Sequence, residues 1–147
     1  MTDVFVPEDF DPPRSFDGPG FRLEPLGPEH NERDHEAWST SMDHIHATPG
    51  EWGNWPRPMS LEENMGDLEM HAREFETREA FTYSILDGDE VIGCLYLYPD
   101  EWGDTDAYVS SWVRETRADM DAVVWSVVTE WLETDWPFRA FRYSERD

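Results

Sequence analysis

Ala107-Tyr-Val-Ser-Ser-Trp-Val113-Arg-Glu-Thr-Arg117-Ala-Asp-Met120-Asp-Ala122 decides the fold of this chain. Its first seven residues read as a strand. From Met120 the apolar residues Val123, Val124, Val127, Val128, Trp131 and Leu132 keep the spacing of one helix face. Valine is a weak helix former, so packing against a sheet must support this helix. A strand that runs into a helix N-terminus is an anion-binding scaffold. This turn, however, carries Asp119 and Asp121 and no glycine.

Working outward, Phe81 to Leu86 and Glu90 to Tyr98 flank Asp87-Gly88-Asp89, a strong hairpin signal. Residues 99–106 are a loop. Pro137 ends the helix, and residues 138–143 read as a last strand. Upstream, Phe21-Arg-Leu-Glu-Pro25 alternates as a short strand. Pro28 and Glu29 open a helix expected to reach about His44. Thr48 to Pro58 is a loop. Ser60-Leu-Glu-Glu63 is a capping box, so a second helix begins at Leu61 and ends near Thr77. Residues 1–20, rich in Pro, Asp, Phe and Gly, read as an extended arm, and 21–147 as one domain. The order is strand, two helices, three antiparallel strands, helix, strand, which is a mixed α/β (α+β) architecture with a helix packed on the sheet.

The chain has 147 residues, 34 acidic and 11 basic, for a net charge of -23. All the basic residues are Arg. Such a surface repels nucleic acid and anionic membranes and favours cationic partners or amines. A solubility adaptation, to a salty cytoplasm or from a GC-rich genome, is the expected source of this acidity, and an acidic mimic or cation-binding protein is a further reading. Cys94 is the one cysteine, in an apolar run, so a buried inert thiol is expected. No apolar run is long enough for a membrane span, and the N-terminus lacks a basic n-region. A cytoplasmic protein is expected.

The order of elements resembles the GNAT superfamily, the acyl-CoA N-acyltransferases, over residues 21–143. Asp87 to Gly93 looks like the hairpin into the family's third strand. Ala107 to Val113 looks like its fourth strand, and Arg117, Met120 and Ala122 fall on the motif that opens its helix. Met120 stands where the family has glycine, and Ala118 where it often has another. The resemblance implies a GNAT-like, mostly antiparallel sheet with two N-terminal helices and one helix after the fourth strand. The family's last helix, with a tyrosine that serves the leaving thiolate, and its last two strands fall beyond the matched part.

It also implies acetyl-CoA or another acyl-CoA as cofactor and acyl transfer to an amine. The cofactor would meet Trp112, Val113, Arg114, Arg117, Ala118, Met120, Asp121 and Ala122, with Trp112 and Val113 along pantetheine and the turn at the pyrophosphate. The alternative is a non-catalytic GNAT-fold binding module that has lost CoA. Asp119 and Asp121 are expected to cap the helix themselves, with Arg114 and Arg117 pairing to them or to Glu115. Trp52, Trp55 and Trp102 lie in loops and are candidate substrate residues for an amine or aromatic cation. A homodimer is expected to cover the sheet edge. No metal is expected: His44 and His46, with His30, His35 and His71, read as surface or helix-end histidines. Ser110-Ser111 lacks a nucleophile motif, and Glu101 and Asp104 read as ordinary loop acids.

Overall fold

A computed structural model describes residues 4–101 and 103–146. One six-stranded sheet organises the chain: β1 (Phe16–Gly18), β2 (Phe21–Pro25), β3 (Phe81–Asp87), β4 (Glu90–Pro99), β5 (Ala107–Val113) and β6 (Phe141–Tyr143). The spatial order is the chain order. Every pairing is antiparallel except β5 with β6. The described helices are α1 (Asn31–Ser39), α2 (Met42–Ala47), α3 (Leu61–Thr77) and α4 (Asp121–Asp135), with 3-10 turns at Pro28–His30 and Glu115–Met120.

Local chemistry explains most boundaries. Gly88 supplies the left-handed conformation, φ 61°, that the β3–β4 turn needs. The Ser60 hydroxyl accepts from the Glu63 N–H while Glu63 accepts from the Ser60 N–H, closing the capping box of α3.

The sheet separates two cores. One face packs α4 (Val124, Val128, Trp131, Leu132) and the N-terminal arm against Leu23, Tyr83, Ile85, Leu95 and Val109. The other packs Trp38, Ile45 and Leu68 against Leu86, Cys94 and Trp112. The faces switch at a bulge. Ile85 pairs with Gly93 and Leu86 with Val91, so Ile92 is the extra residue. Ile92 therefore joins the α4 core, while Val91 and Cys94 both join the other. At Gly93 a Cβ would lie 2.1 Å from the Trp112 carbonyl oxygen; only glycine permits that approach.

Three expectations need correction. The arm contributes a strand, β1, paired to β2, and Val6 is buried in the core. The helix expected over 29–44 is a 3-10 turn followed by α1 and α2, which break at Thr40–Ser41. There the Thr40 hydroxyl donates back to the Glu36 carbonyl at 2.8 Å, a competition typical of Thr. The last strand is three residues long, and the rings of Trp136 and Phe138 before it pack on the core.

Candidate functional site: an acidic aromatic cavity beside the β5–β6 divergence

Alternation along β4 and β5 places Tyr96, Tyr98, Tyr108 and Ser110 on the face covered by α1 and α3. Between sheet and helices lies a cavity of about 440 Å³. Its acids are Asp34 from α1, Asp67 from α3, and Glu51 and Glu101 from loops. Its rings are Trp52, Trp55, His71 and the three tyrosines. Neither Lys nor Arg is among the described residues that line it.

Each ring is held by a partner. Trp112 Nε1 donates to the Tyr96 hydroxyl at 3.0 Å. Trp52 Nε1 donates to the Thr48 carbonyl at 2.9 Å. Trp55 stands between Trp38 and Trp112, with centroids 5.8 and 6.1 Å away. The loop tryptophans therefore both cover the second core and form the cavity wall. Trp102 lies outside the described residues.

Asp34 is only 4% exposed. Its Oδ2 accepts from the Asn64 amide at 3.1 Å, and Asn64 also bonds Asn31 and Trp38. Burial pushes its carboxyl up to about 6, against the opposing Asn64 bond. His71 Nδ1 lies 3.3 Å from the Thr82 hydroxyl and 3.5 Å from that of Tyr98. Burial holds His71 down at about 4, so it is neutral at physiological pH. His30 is also buried, its Nδ1 2.9 Å from the Ser84 hydroxyl. Neither is the surface histidine expected from sequence; the packing of α3 and of the first 3-10 turn onto the sheet encloses them. The described residues contain no group of three or more His, Cys, Asp or Glu able to hold a metal. Cys94 is fully buried, with its thiol pushed well up by burial.

Among the described residues, β5 has no ladder partner on its β6 side beyond Val109. Arg146 fills that notch. Its Nη2 donates to the Ser111 carbonyl at 2.7 Å, its Nε to Asp121 Oδ2 at 2.7 Å, and its Nη1 to the Ser144 carbonyl at 2.8 Å. The Ser111 hydroxyl is 2.6 Å from that of Tyr143. Trp112 and Val113 face the two cores and pair through their backbones with Cys94 and Gly93.

In the turn that follows, Arg114 is buried and binds Glu36 at 2.7 Å and Glu90 at 3.4 Å. Arg117 binds Asp87 at 3.0 Å and Glu90 at 3.4 Å. Both arginines thus turn to α1 and the β3–β4 hairpin, not to Glu115, Asp119 or Asp121. Met120 packs into the core and its Cε is 3.4 Å from where a Cβ on Gly20 would lie. The Glu115 N–H donates to the Ser41 hydroxyl at 2.9 Å, the Arg117 N–H to the Arg114 carbonyl, and the Asp121 N–H to the Ala118 carbonyl. Among the described residues no side chain caps α4, so the capping role expected of the aspartates is not realised. Ala118, Asp119 and Ala122 are exposed on the turn.

Sequence reasoning brought Trp52 and Trp55 to this site but missed Asp34, His71, Tyr96 and Ser110. For Tyr96 and Ser110 the signal is face alternation along β4 and β5, legible on β4 only once the bulge at Ile92 is placed; Asp34 and His71 come from α1 and α3, whose sheet-facing sides only packing decides.

The fold is that of the GNAT acetyltransferases. RimL, the ribosomal L7/L12 alpha-N-protein acetyltransferase in complex with coenzyme A, aligns with a TM-score of 0.65 at 17% identity, over 86% of this chain and 71% of its own. The microcin C7 self immunity acetyltransferase MccE, in complex with acetyl-CoA and AMP, aligns at 0.62 and 11% identity, over 79% and 62%. Mycobacterium smegmatis RimJ in complex with CoA-disulfide aligns at 0.59 and 14% identity, over 86% and 62%. This chain therefore spans 62–71% of the length of those proteins. No sequence-family model matches the chain, and no curated protein sequence is similar to it. Among the described residues no helix is long and apolar enough to cross a membrane.

Proposed function

We propose that this chain recognises an amine in the cavity between α1, α3 and the sheet, and does so without acyl-CoA, as a binding protein on a GNAT scaffold. One observation carries the reading: acids and aromatic rings line the cavity and no described cation does. An ammonium entering it meets carboxylates as charge-assisted acceptors and ring faces as cation–π partners. Asp34 at the cavity wall, held by Asn64, supplies a fixed anion already desolvated by the fold.

Several groups of the turn that a pyrophosphate would use are already engaged. A pyrophosphate there needs free N–H groups or free cations. The N–H groups of Glu115, Arg117 and Asp121 are already bonded. Arg114 and Arg117 are engaged by Glu36, Asp87 and Glu90.

A second reading is acyl transfer from acetyl-CoA or another acyl-CoA to that amine. The unpaired edge of β5 at Ser110 to Val113 favours it, because a pantetheine arm would pair there along Trp112 and Val113. It requires Arg146 to leave the notch. A homodimer over the same edge is a separate proposal, read out by sedimentation.

Thermal unfolding with benzylamine and with millimolar acetyl-CoA separates the two readings. Benzylamine at 100 times its dissociation constant stabilises by about 2.7 kcal/mol, and acetyl-CoA leaves the midpoint unchanged. An upward shift with acetyl-CoA decides for the second reading.

A further inference from the structure

We infer that the ligand of this cavity is a quaternary ammonium, a nitrogen clad in carbon and seated among Trp52, Trp55 and Tyr96. The inference rests on the amine reading above and narrows its ligand class. All three rings line the cavity. The Trp52 centroid is 6.2 Å from that of Trp55 and 6.1 Å from that of Tyr96, with planes inclined by 49° and 65°. One flat ligand cannot stack on all three, whereas a rounded cation suits so bent a wall. The volume, about 440 Å³, is that of a small-ligand site.

Polar groups of the wall are largely engaged with one another. The Asn64 amide donates to Asp34 Oδ2 and to the Asn31 side chain, and Asn64 Oδ1 accepts the Trp38 indole N–H. The Tyr96 hydroxyl accepts from Trp112, and that of Tyr98 lies against His71 Nδ1. A primary ammonium brings three N–H donors that need acceptors, and these groups do little to replace the water it leaves. A quaternary nitrogen brings none. Asp34, only 4% exposed, then acts on it by charge through space, with no hydrogen bond required. Glu51 and Glu101 are exposed, so an ion pair with either is solvated and weak.

This ligand class agrees with binding that needs no acyl-CoA. A nitrogen bonded to four carbons has no lone pair, so it cannot attack a thioester. His71, which burial keeps neutral, adds no competing cation to the wall.

Titration calorimetry with choline, ethanolamine, benzylamine and 3,3-dimethyl-1-butanol, the neutral isostere of choline, tests this. Choline is expected to bind about tenfold more tightly than ethanolamine, and by at least that margin over the isostere. Trp52→Leu keeps an apolar side chain but removes the ring, and should bring choline down to the ethanolamine level. The ligand comparison needs no variant, so it decides even where Trp52→Leu fails to fold. Ethanolamine as tight as choline, or a folded Trp52→Leu chain that keeps the margin, overturns the quaternary ammonium and leaves the amine reading standing. So does benzylamine that binds where choline does not. The neutral isostere as tight as choline, or no binding by any of the three cations, removes both.

Discussion

Arg146 Nη2 donates to the main-chain carbonyl of Ser111 at 2.7 Å, closing the notch where β5 parts from β6. The same guanidinium binds Asp121, whose Oδ1 is buried without a partner of its own. Arg146→Ala therefore leaves a carboxylate without its cation and should cost about 2 kcal/mol, the low side for a buried pair because Asp121 is partly exposed. Urea unfolding measures it. Arg146→Ala with Asp121→Ala should recover most of the loss. A double variant as unstable as the single one would mean that packing on the Tyr143 ring, 5.7 Å away, carries the stability instead.

Asp34 and His71 pull stability in opposite directions with pH. Asp34 has its folded value raised from 3.8 to about 6, so its contribution is full at low pH and is lost as pH rises through about 6. His71 has its folded value lowered from 6.5 to about 4, so its contribution is full above 6.5 and is lost as pH falls through about 4. Each shift is worth about 3 kcal/mol, and the two offset one another between pH 4 and 6. Asp34→Asn should therefore make stability rise steeply over that window, and His71→Gln should make it fall. Denaturant midpoints at pH 4, 5 and 6 check this; two flat profiles would refute it.

Amine binding has its own pH dependence. The ammonium favours the Asp34 carboxylate, so affinity for benzylamine should rise as pH passes 6 and then level. In Asp34→Asn the rise should vanish. Calorimetry from pH 5 to 7.5 reads it, and an unaltered rise in the variant would exclude Asp34 from the contact.

Two glycines should respond oppositely to alanine. At Gly93 the added methyl meets the Trp112 carbonyl at 2.1 Å, and backbone cannot yield without opening the β4–β5 ladder. Gly93→Ala should cost about 3 kcal/mol or more. At Gly66, inside α3, nothing lies within 4 Å of the added methyl. Gly66→Ala should stabilise by about 1 kcal/mol. Thermal midpoints of the two variants should move in opposite directions.

The Ser60 cap offers a local test. Ser60→Ala removes the acceptor for the Glu63 N–H and should cost about 1 kcal/mol. Hydrogen exchange should locate the loss in the first turn of α3; a global loss with that turn unchanged would contradict it.

Short-range chemistry made much of this legible in the sequence. Asp87-Gly88, the Ser60–Glu63 box and the apolar period of 123–132 each act within a few residues, and the hairpin, α3 and α4 stand where those signals put them. The loop tryptophans were legible as cavity candidates because large rings in a loop need a surface to cover. The break at Thr40–Ser41 was not: beside the local Thr40–Glu36 bond, the Ser41 hydroxyl there accepts from the Glu115 N–H 74 residues away.

The sequence by itself determined the order of elements from α3 to β6, the acidity of the chain and the absence of glycine from the β5–α4 turn. Hydrophobic period, turn residues and charge count are local properties, so they survive without coordinates. Only the tertiary structure decided which acid meets which arginine. Arg114, Arg117 and Arg146 each had several carboxylates within reach along the chain, and the fold gave them Glu36, Asp87 and Asp121. The same folding left Asp34 and the aromatic rings around a cavity lined by no described cation. Charge pairing acts through space over a few ångströms, and that spacing does not exist until the sheet and helices are packed.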